Sequence, residues 1–300
     1  MALWDQGSWW QRMRPYAGEV AGTFLLVLFG IGSVASAVLT GAQTGLWQVA
    51  AVWGFGVTLA IYVSAGVSGG HLNPAVSLSM AIFRRDEFPL RRLVPYWASQ
   101  LAGGVLAGLV VLAIFGPFID RFEADRDIER GEAGSQASAM VFGEYFPNPD
   151  MFGTDGAAFD LVSPLAAAGV EAFGTGVLVF IIFALVDRRN TGRPGSHIAP
   201  FFIGSTIAIL ISLFAPITQA GWNPARDFGP RLVALAAGWG EIAIPGPRNG
   251  FWVYIVGPLV GGPIGAALYD TLIRPRAVAE DSAVSKGGSA ALRDGSSDTV

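Results

Sequence analysis

Six long apolar segments constrain this chain more than any other feature of its sequence. They cover approximately residues 16–39, 48–67, 93–116, 164–186, 199–215 and 251–273. A helix needs about 20 apolar residues to cross about 30 Å of hydrocarbon, and these segments have about that length. Only 14% of the 300 residues are charged and the mean hydropathy is +0.49, whereas soluble domains carry roughly 25% charged residues. The sequence therefore predicts an all-α membrane protein with six transmembrane helices.

Two shorter apolar stretches, residues 73–83 and 223–237, each begin with the tripeptide Asn-Pro-Ala. The residues of the two tripeptides are Asn73, Pro74, Ala75, Asn223, Pro224 and Ala225. A helix of about 11 residues reaches only about 16 Å, half of the hydrocarbon thickness. Each stretch is therefore a surface helix or a re-entrant half-helix that enters the bilayer from one side.

The basic residues indicate the orientation. Of the 19 Lys and Arg residues, 13 lie before the first span, between spans two and three, between spans four and five, or after span six. The positive-inside rule places these segments and both termini in the cytoplasm, and residues 117–163 outside. We expect a plasma-membrane protein, in the inner membrane if bacterial. The net charge of −4, without a basic block, predicts no nucleic-acid partner. The chain has no Cys, and we expect neither metal nor cofactor.

The two halves of the chain resemble each other. Residues 19–27 (EVAGTFLLV) match residues 171–179 (EAFGTGVLV), and residues 101–108 match residues 259–266, with offsets close to the 150 residues between the two Asn-Pro-Ala tripeptides. We therefore expect one channel domain over residues 1–273, with repeats at about 14–116 and 164–273 and a disordered cytoplasmic tail over 274–300. With three spans in each repeat, the copies must be inverted, so the two half-helices meet at the midplane.

These motifs carry a resemblance to a known family. SGGHLNPAV (residues 68–76) and NPARDFGPRL (residues 223–232), on half-helices between inverted three-span repeats, resemble the major intrinsic proteins, which are aquaporins and glycerol facilitators. Asp227, Arg231 and FPNP (residues 146–149) are similar to the glycerol-facilitator branch. The resemblance implies an aquaporin-like fold and a homotetramer with one pore per subunit.

The chemistry of these residues suits a pore. Each half-helix directs its positive end toward the midplane, which repels cations, and Asn73 and Asn223 can cap the half-helices while offering amide donors to a solute. Arg226 is too costly to face lipid, so we expect it to line the pore. The resemblance implies that Glu19 and Glu171 accept hydrogen bonds from the re-entrant loops.

Two further polar residues have structural interpretations. We expect Asp227 to hold the outer loop near Arg231. His71 is interpreted as a hydrogen-bonded member of a cytoplasmic loop rather than as a metal ligand.

The predicted outer constriction differs from that of the glycerol facilitators. That branch uses a Trp, a Gly, a Phe and an Arg, and this chain places Trp53, Ile211, Ala220 and Arg226 at the matching positions. This set resembles the filter of plant nodulin-26-like channels. Ile211 cannot supply the His donor of water-selective pores, and an apolar wall beside Arg226 suits a polyol.

The predicted function is a passive channel for glycerol, water and other small neutral solutes that excludes ions and protons. The alternatives are a water-preferring pore or one for ammonia, urea or metalloid hydroxides. A coupled secondary transporter is the alternative from another class, because such transporters also use inverted repeats and broken helices. An enzyme is not expected, since the spans carry no set of nucleophile and base.

Overall fold

The computed structural model describes residues 9–275, and within this range the secondary structure is entirely helical. Eight α-helices of ten or more residues form the framework. They are α1 (Trp9–Thr40), α2 (Leu46–Ser68), α3 (Pro74–Phe83), α4 (Leu93–Ala124), α5 (Pro164–Val186), α6 (Ala199–Thr218), α7 (Pro224–Ala234) and α8 (Val253–Leu268). Six of these helices, with flanking turns in two cases, are long and apolar enough to cross a membrane. The predicted multi-pass, all-α fold is confirmed.

Shorter elements fill the connections. They are the helices Gln136–Ala139, Pro149–Phe152, Gly156–Leu161 and Gly240–Ala243, the 3₁₀ turns Leu90–Arg92 and Pro247–Trp252, and the π turns Leu235–Trp239 and Tyr269–Ile273. The predicted tail over 274–300 lies almost wholly outside the described residues.

Helix α4 corrects the predicted boundary of the outer loop. The helix continues to Ala124, whereas the sequence analysis placed the loop at 117–163. Its last turns are stabilised by burial, since Ile119 and Phe122 are buried, and by Glu123, which accepts from Arg130 at 3.0 Å and from Ser138 at 2.6 Å. The charged run from residue 120 to 132 is therefore partly a packed helix end, and the loop begins at residue 125.

Close helix packing depends on glycine at the crossing points. Helices α2 and α6 cross at Gly54 and Gly204, where a Cβ placed on Gly204 would overlap the carbonyl oxygen of Gly54. Helices α4 and α7 meet at Gly104 and Gly229, and a Cβ on Gly229 would lie 2.8 Å from the Gly104 Cα. Such small residues let membrane helices approach closely, and here they bring the half-helix α7 against a full span.

The two short helices α3 and α7 meet at their N-termini. Pro occupies the first position of each, where its missing N–H leaves no hydrogen bond unmade. The Asn73 amide donates to the Trp222 carbonyl at 2.9 Å, and the Asn223 amide donates to the Leu72 carbonyl at 2.8 Å. At about 1.5 Å per residue, neither helix spans a bilayer alone. Two half-helices that meet in the interior are the arrangement predicted from the sequence.

Two faces of the molecule differ in composition. The basic face is formed by residues 84–92 and 187–198, which carry seven Arg residues. The loop face is formed by residues 125–163 and 240–252. On the basic face, Arg84 at the end of α3 pairs with Asp270 at 2.7 Å, and this pair fixes the far end of the half-helix to the last span.

Candidate channel and its constriction

Two cavities follow one another along the helix bundle. The inner cavity, of about 360 Å³, extends from the basic face past the two Asn-Pro-Ala tripeptides. The outer cavity, of about 200 Å³, opens toward the loop face and is lined by Glu144 and Gln219 among others. Trp53, Ile211 and Arg226 line both cavities, so they mark the boundary between them.

The two tripeptides lie side by side in the wall of the inner cavity. The Asn73 side-chain oxygen caps α3 by accepting from the Ala75 N–H at 2.9 Å. The Asn223 oxygen caps α7 by accepting from Ala225 and Arg226 at 3.1 and 3.2 Å. Since the oxygens cap the helices, the amide groups are oriented as donors at the junction of the two half-helices.

A buried carboxylate holds each of the segments that precede the half-helices. Glu19, in α1, accepts from the His71 and Leu72 N–H groups at 3.0 and 2.8 Å, and from the Gln100 amide at 2.7 Å. Leu72 has a positive φ of 52°, a conformation that is uncommon outside glycine. The carboxylate therefore stabilises a backbone shape that the residue alone does not favour.

The second carboxylate, Glu171 in α5, has the corresponding position in the other half. It accepts from the Thr218 hydroxyl at 2.7 Å and from the Gly221 and Trp222 N–H groups at 3.0 and 2.7 Å. Ala220 and Trp222 also have positive φ, at 69° and 47°. These contacts agree with the scaffold interpretation of Glu19 and Glu171, which was based on resemblance alone.

His71 lies beside the inner cavity in an aromatic setting. Its Nδ1 is 3.2 Å from the Ser77 hydroxyl, and its ring packs against Phe88 and Tyr96 at centroid distances of 4.5 and 5.3 Å. Among the described residues, no group of three His, Cys, Asp or Glu side chains could hold a metal ion. The surroundings of His71 are therefore those of a packed, hydrogen-bonded side chain.

The boundary between the cavities combines apolar groups with one cation. The Arg226 guanidinium lies 4.3 Å from the centroid of the Trp53 ring, a cation–π arrangement. Ile211 and Ala220 contribute aliphatic surfaces to the inner cavity, which Trp53 and Arg226 also line. The structure thus brings together all four residues that the sequence analysis assigned to a constriction.

A fifth side chain, missed by the sequence analysis, contacts this group. Glu144 comes from the outer loop, is 1% exposed, and forms an ion pair with the Arg226 guanidinium. Burial raises the pKa of the Glu144 carboxyl to about 8, and the charge of Arg226 acts in the opposite direction. Local sequence gives no signal for this pair, because the loop contains several acidic residues and only its folding selects one of them.

Asp227 and Arg231 explain how Glu144 reaches its position. Asp227 accepts from the Glu144 backbone N–H at 2.6 Å and from the Arg231 Nε at 2.9 Å. Arg231 donates to the Glu144 carbonyl and to that of Ala243. The predicted role of Asp227, holding the outer loop near Arg231, agrees with these contacts.

Comparison with known proteins identifies the family. The sequence model described as Major intrinsic protein matches residues 7–269. The chain belongs to the major intrinsic protein family. Within this family it is similar to the glycerol uptake facilitator protein of Pseudomonas aeruginosa, with 42% identity over 257 residues that cover 85% of this chain and 87% of the relative. It is also 38% identical to a propanediol uptake facilitator of Citrobacter freundii, over 85% of this chain and 90% of that one.

A solved member of the family has the same fold. The crystal structure of the aquaglyceroporin from Plasmodium falciparum matches with a TM-score of 0.73 and 28% identity, covering 87% of this chain and 96% of that one. The arrangement of six spans and two half-helices, inferred here from hydropathy and the repeated tripeptide, is thus the arrangement of this family.

Proposed function

We propose that this major intrinsic protein is a passive channel for glycerol, water and other small neutral solutes. The observation that carries the proposal is the boundary between the two cavities, where the Arg226 guanidinium lies over the Trp53 ring and the aliphatic side chains of Ile211 and Ala220 line the same inner cavity. A polyol has hydroxyl groups that accept from a guanidinium and C–H groups that pack on apolar side chains. Relatives at about 40% identity are named glycerol and propanediol uptake facilitators, which supports the same solute class.

We propose that Trp53, Ile211, Ala220 and Arg226 form the selectivity filter. Ala220 is small and Ile211 carries no polar group, so these two positions give the cavity an aliphatic wall in place of a phenyl or imidazole ring. An aliphatic wall leaves Arg226 as the main donor for a solute hydroxyl, which disfavours strict water selectivity. No catalytic activity is part of this proposal.

Proton and cation exclusion is assigned to the junction of the half-helices. Each helix N-terminus carries about half a positive elementary charge, and Asn73 and Asn223 each use one amide hydrogen on a carbonyl of the opposite loop. An amide has a second hydrogen, which we assign to a permeating oxygen. A water that accepts from both amides cannot pass a proton along the file.

The proposal is tested by stopped-flow swelling of proteoliposomes in glycerol, urea and sorbitol gradients. We expect water and glycerol to enter rapidly, sorbitol to be excluded, and the rates to be unaffected when ion gradients are collapsed. Glycerol exclusion would overturn the filter assignment, and flux that requires an ion gradient would indicate a coupled transporter.

We further propose one channel domain with two inverted repeats per subunit, a homotetramer with one pore in each subunit, and a plasma-membrane location with the basic face in the cytoplasm. The seven Arg residues of that face follow the positive-inside rule. Native mass measurement in mild detergent and accessibility labelling of single cysteines introduced into each face test these assignments. A monomeric mass would contradict the tetramer, and external labelling of the basic face would contradict the orientation.

A further inference from the structure

The proposed pore has positive charge at its middle and at the boundary between its two cavities, which raises the question of how anions are excluded. Both half-helices direct their positive ends toward its middle, and Arg226 adds a full charge at the boundary between the cavities. These features repel cations, but the same field attracts chloride and small carboxylates. Offsetting that attraction requires a negative charge near Arg226.

Glu144 has the position that this requirement demands. Its carboxylate contacts the Arg226 guanidinium, and both of its oxygens are inaccessible to solvent and accept no hydrogen bond within the described part of the chain. Glu144 therefore lies in the wall of the outer cavity with its two carboxylate oxygens against the guanidinium and not open to a solute. It is an anion held against one cation.

The backbone of Glu144 is fixed independently of its side chain. Asp227 binds its N–H and Arg231 binds its carbonyl, while the neighbouring Tyr145 N–H donates to the Gln219 side chain at 2.8 Å. These backbone hydrogen bonds therefore place the carboxylate beside Arg226 independently of the ion pair. Neutralising the carboxylate should leave the loop in place.

We propose that Glu144 is a positioning residue and counter-ion for Arg226, and that its ionised carboxylate adds to this channel's exclusion of small anions. The inference rests on the proposed channel function and assigns its charge selectivity. With Glu144 ionised, the boundary presents guanidinium donors at a net charge near zero, so it binds hydroxyl oxygens without concentrating anions. Without that charge, Arg226 and the two helix ends form an uncompensated anion-attracting region.

The test is chloride and potassium leak from proteoliposomes at about pH 9, where a carboxyl of pKa about 8 is largely ionised. We take a permeating ion about 7 Å from the carboxylate and an effective dielectric constant of about 20. Removing the carboxylate charge then changes the permeation rate of the ion about 50-fold. Screening by salt reduces this effect to about tenfold. We expect Glu144→Gln to raise chloride leak about tenfold with unchanged potassium leak. The matched control Glu241→Gln removes an exposed loop-face carboxylate and should behave as wild type.

A double variant separates charge from structural damage. Glu144→Gln combined with Arg226→Gln removes both charges, and its chloride leak should return toward the wild-type value. An unchanged chloride leak in Glu144→Gln would overturn the inference, as would an equal rise in chloride and potassium leak, which indicates a damaged pore. Glycerol swelling of the same wild-type vesicles is measured in parallel, because its absence would overturn the proposed function instead.

Wild-type protein supplies the same test if Glu144→Gln does not fold. Protonation removes the carboxylate charge at low pH, so wild-type chloride leak should rise as the pH falls from about 9 to about 6, and a flat profile would overturn the inference. The other groups that face Glu144 are Arg226, Asp227, Arg231, Glu171, Tyr145 and Tyr254. If Glu144→Gln folds, its chloride leak should not change with pH. This result would assign the wild-type change to the titration of Glu144 and not to that of the neighbouring groups.

Discussion

Replacement of Glu171 by Gln tests whether a buried carboxylate holds the segment that carries half of the proposed filter. The carboxylate accepts from Thr218, Gly221 and Trp222 at 2.7, 3.0 and 2.7 Å. An amide oxygen at the Oε1 position can keep the first two bonds. The new NH₂ group then faces the Trp222 N–H, donor against donor, and that bond is lost.

The expected cost follows from these three bonds. A buried donor left without an acceptor costs about 1–3 kcal/mol, and the change from a charged to a neutral acceptor weakens each remaining bond by roughly 0.5–1.5 kcal/mol. The total is about 2–6 kcal/mol. For a chain of this size, that corresponds to a fall in the unfolding temperature of roughly 3–10 °C.

The assay combines thermal unfolding in detergent with stopped-flow water and glycerol flux. We expect Glu171→Gln to lower both the unfolding temperature and the flux, since Ala220 and Asn223 lie on the segment that loses its support. Glu19→Gln should act similarly in the other half, and exposed Glu241→Gln should be neutral. Wild-type stability and wild-type flux in Glu171→Gln would show that the Glu171 carboxylate does not support this segment.

The remaining predictions concern the constriction and the absence of cysteine. Arg226→Ala should keep water flux but admit potassium, because it removes the fixed positive charge that repels cations at the boundary between the cavities; an Ala variant with wild-type glycerol flux and no leak would remove Arg226 from the filter. Ala220→Phe should narrow the solute range by adding a ring to the aliphatic wall, and Ile211→His should shift permeation toward water. If the swelling rates in glycerol and in urea are unchanged in both variants, the filter assignment is wrong. Water flux through the purified channel should resist mercurials, since the chain has no thiol; inhibition reversed by a reducing agent would count against this.

The spans and half-helices could be predicted because their signals are local. Hydrophobic length compared with bilayer thickness gives six spans, and Asn-Pro at the start of a short apolar stretch gives a capped half-helix. The predicted helix ends were less accurate than the predicted spans. In α4, Ile119 and Phe122 are buried by tertiary contacts that a hydropathy pattern does not reveal. The scaffold role of Glu19 and Glu171 could be stated only through resemblance, since a carboxylate in a span does not identify its donors.

Six membrane spans and two capped half-helices can be predicted from the linear chain, because span length, Pro at the first helical position and repeat offset are properties of the sequence. Which charges meet depends on how the chain packs. The outer loop and α7 are far apart in sequence, and the pairing of Glu144 with Arg226 exists because Asp227 and Arg231 bind the loop backbone on both sides of the carboxylate. An ion pair depends on distance in space, and that distance is fixed only when the loop packs onto the half-helix.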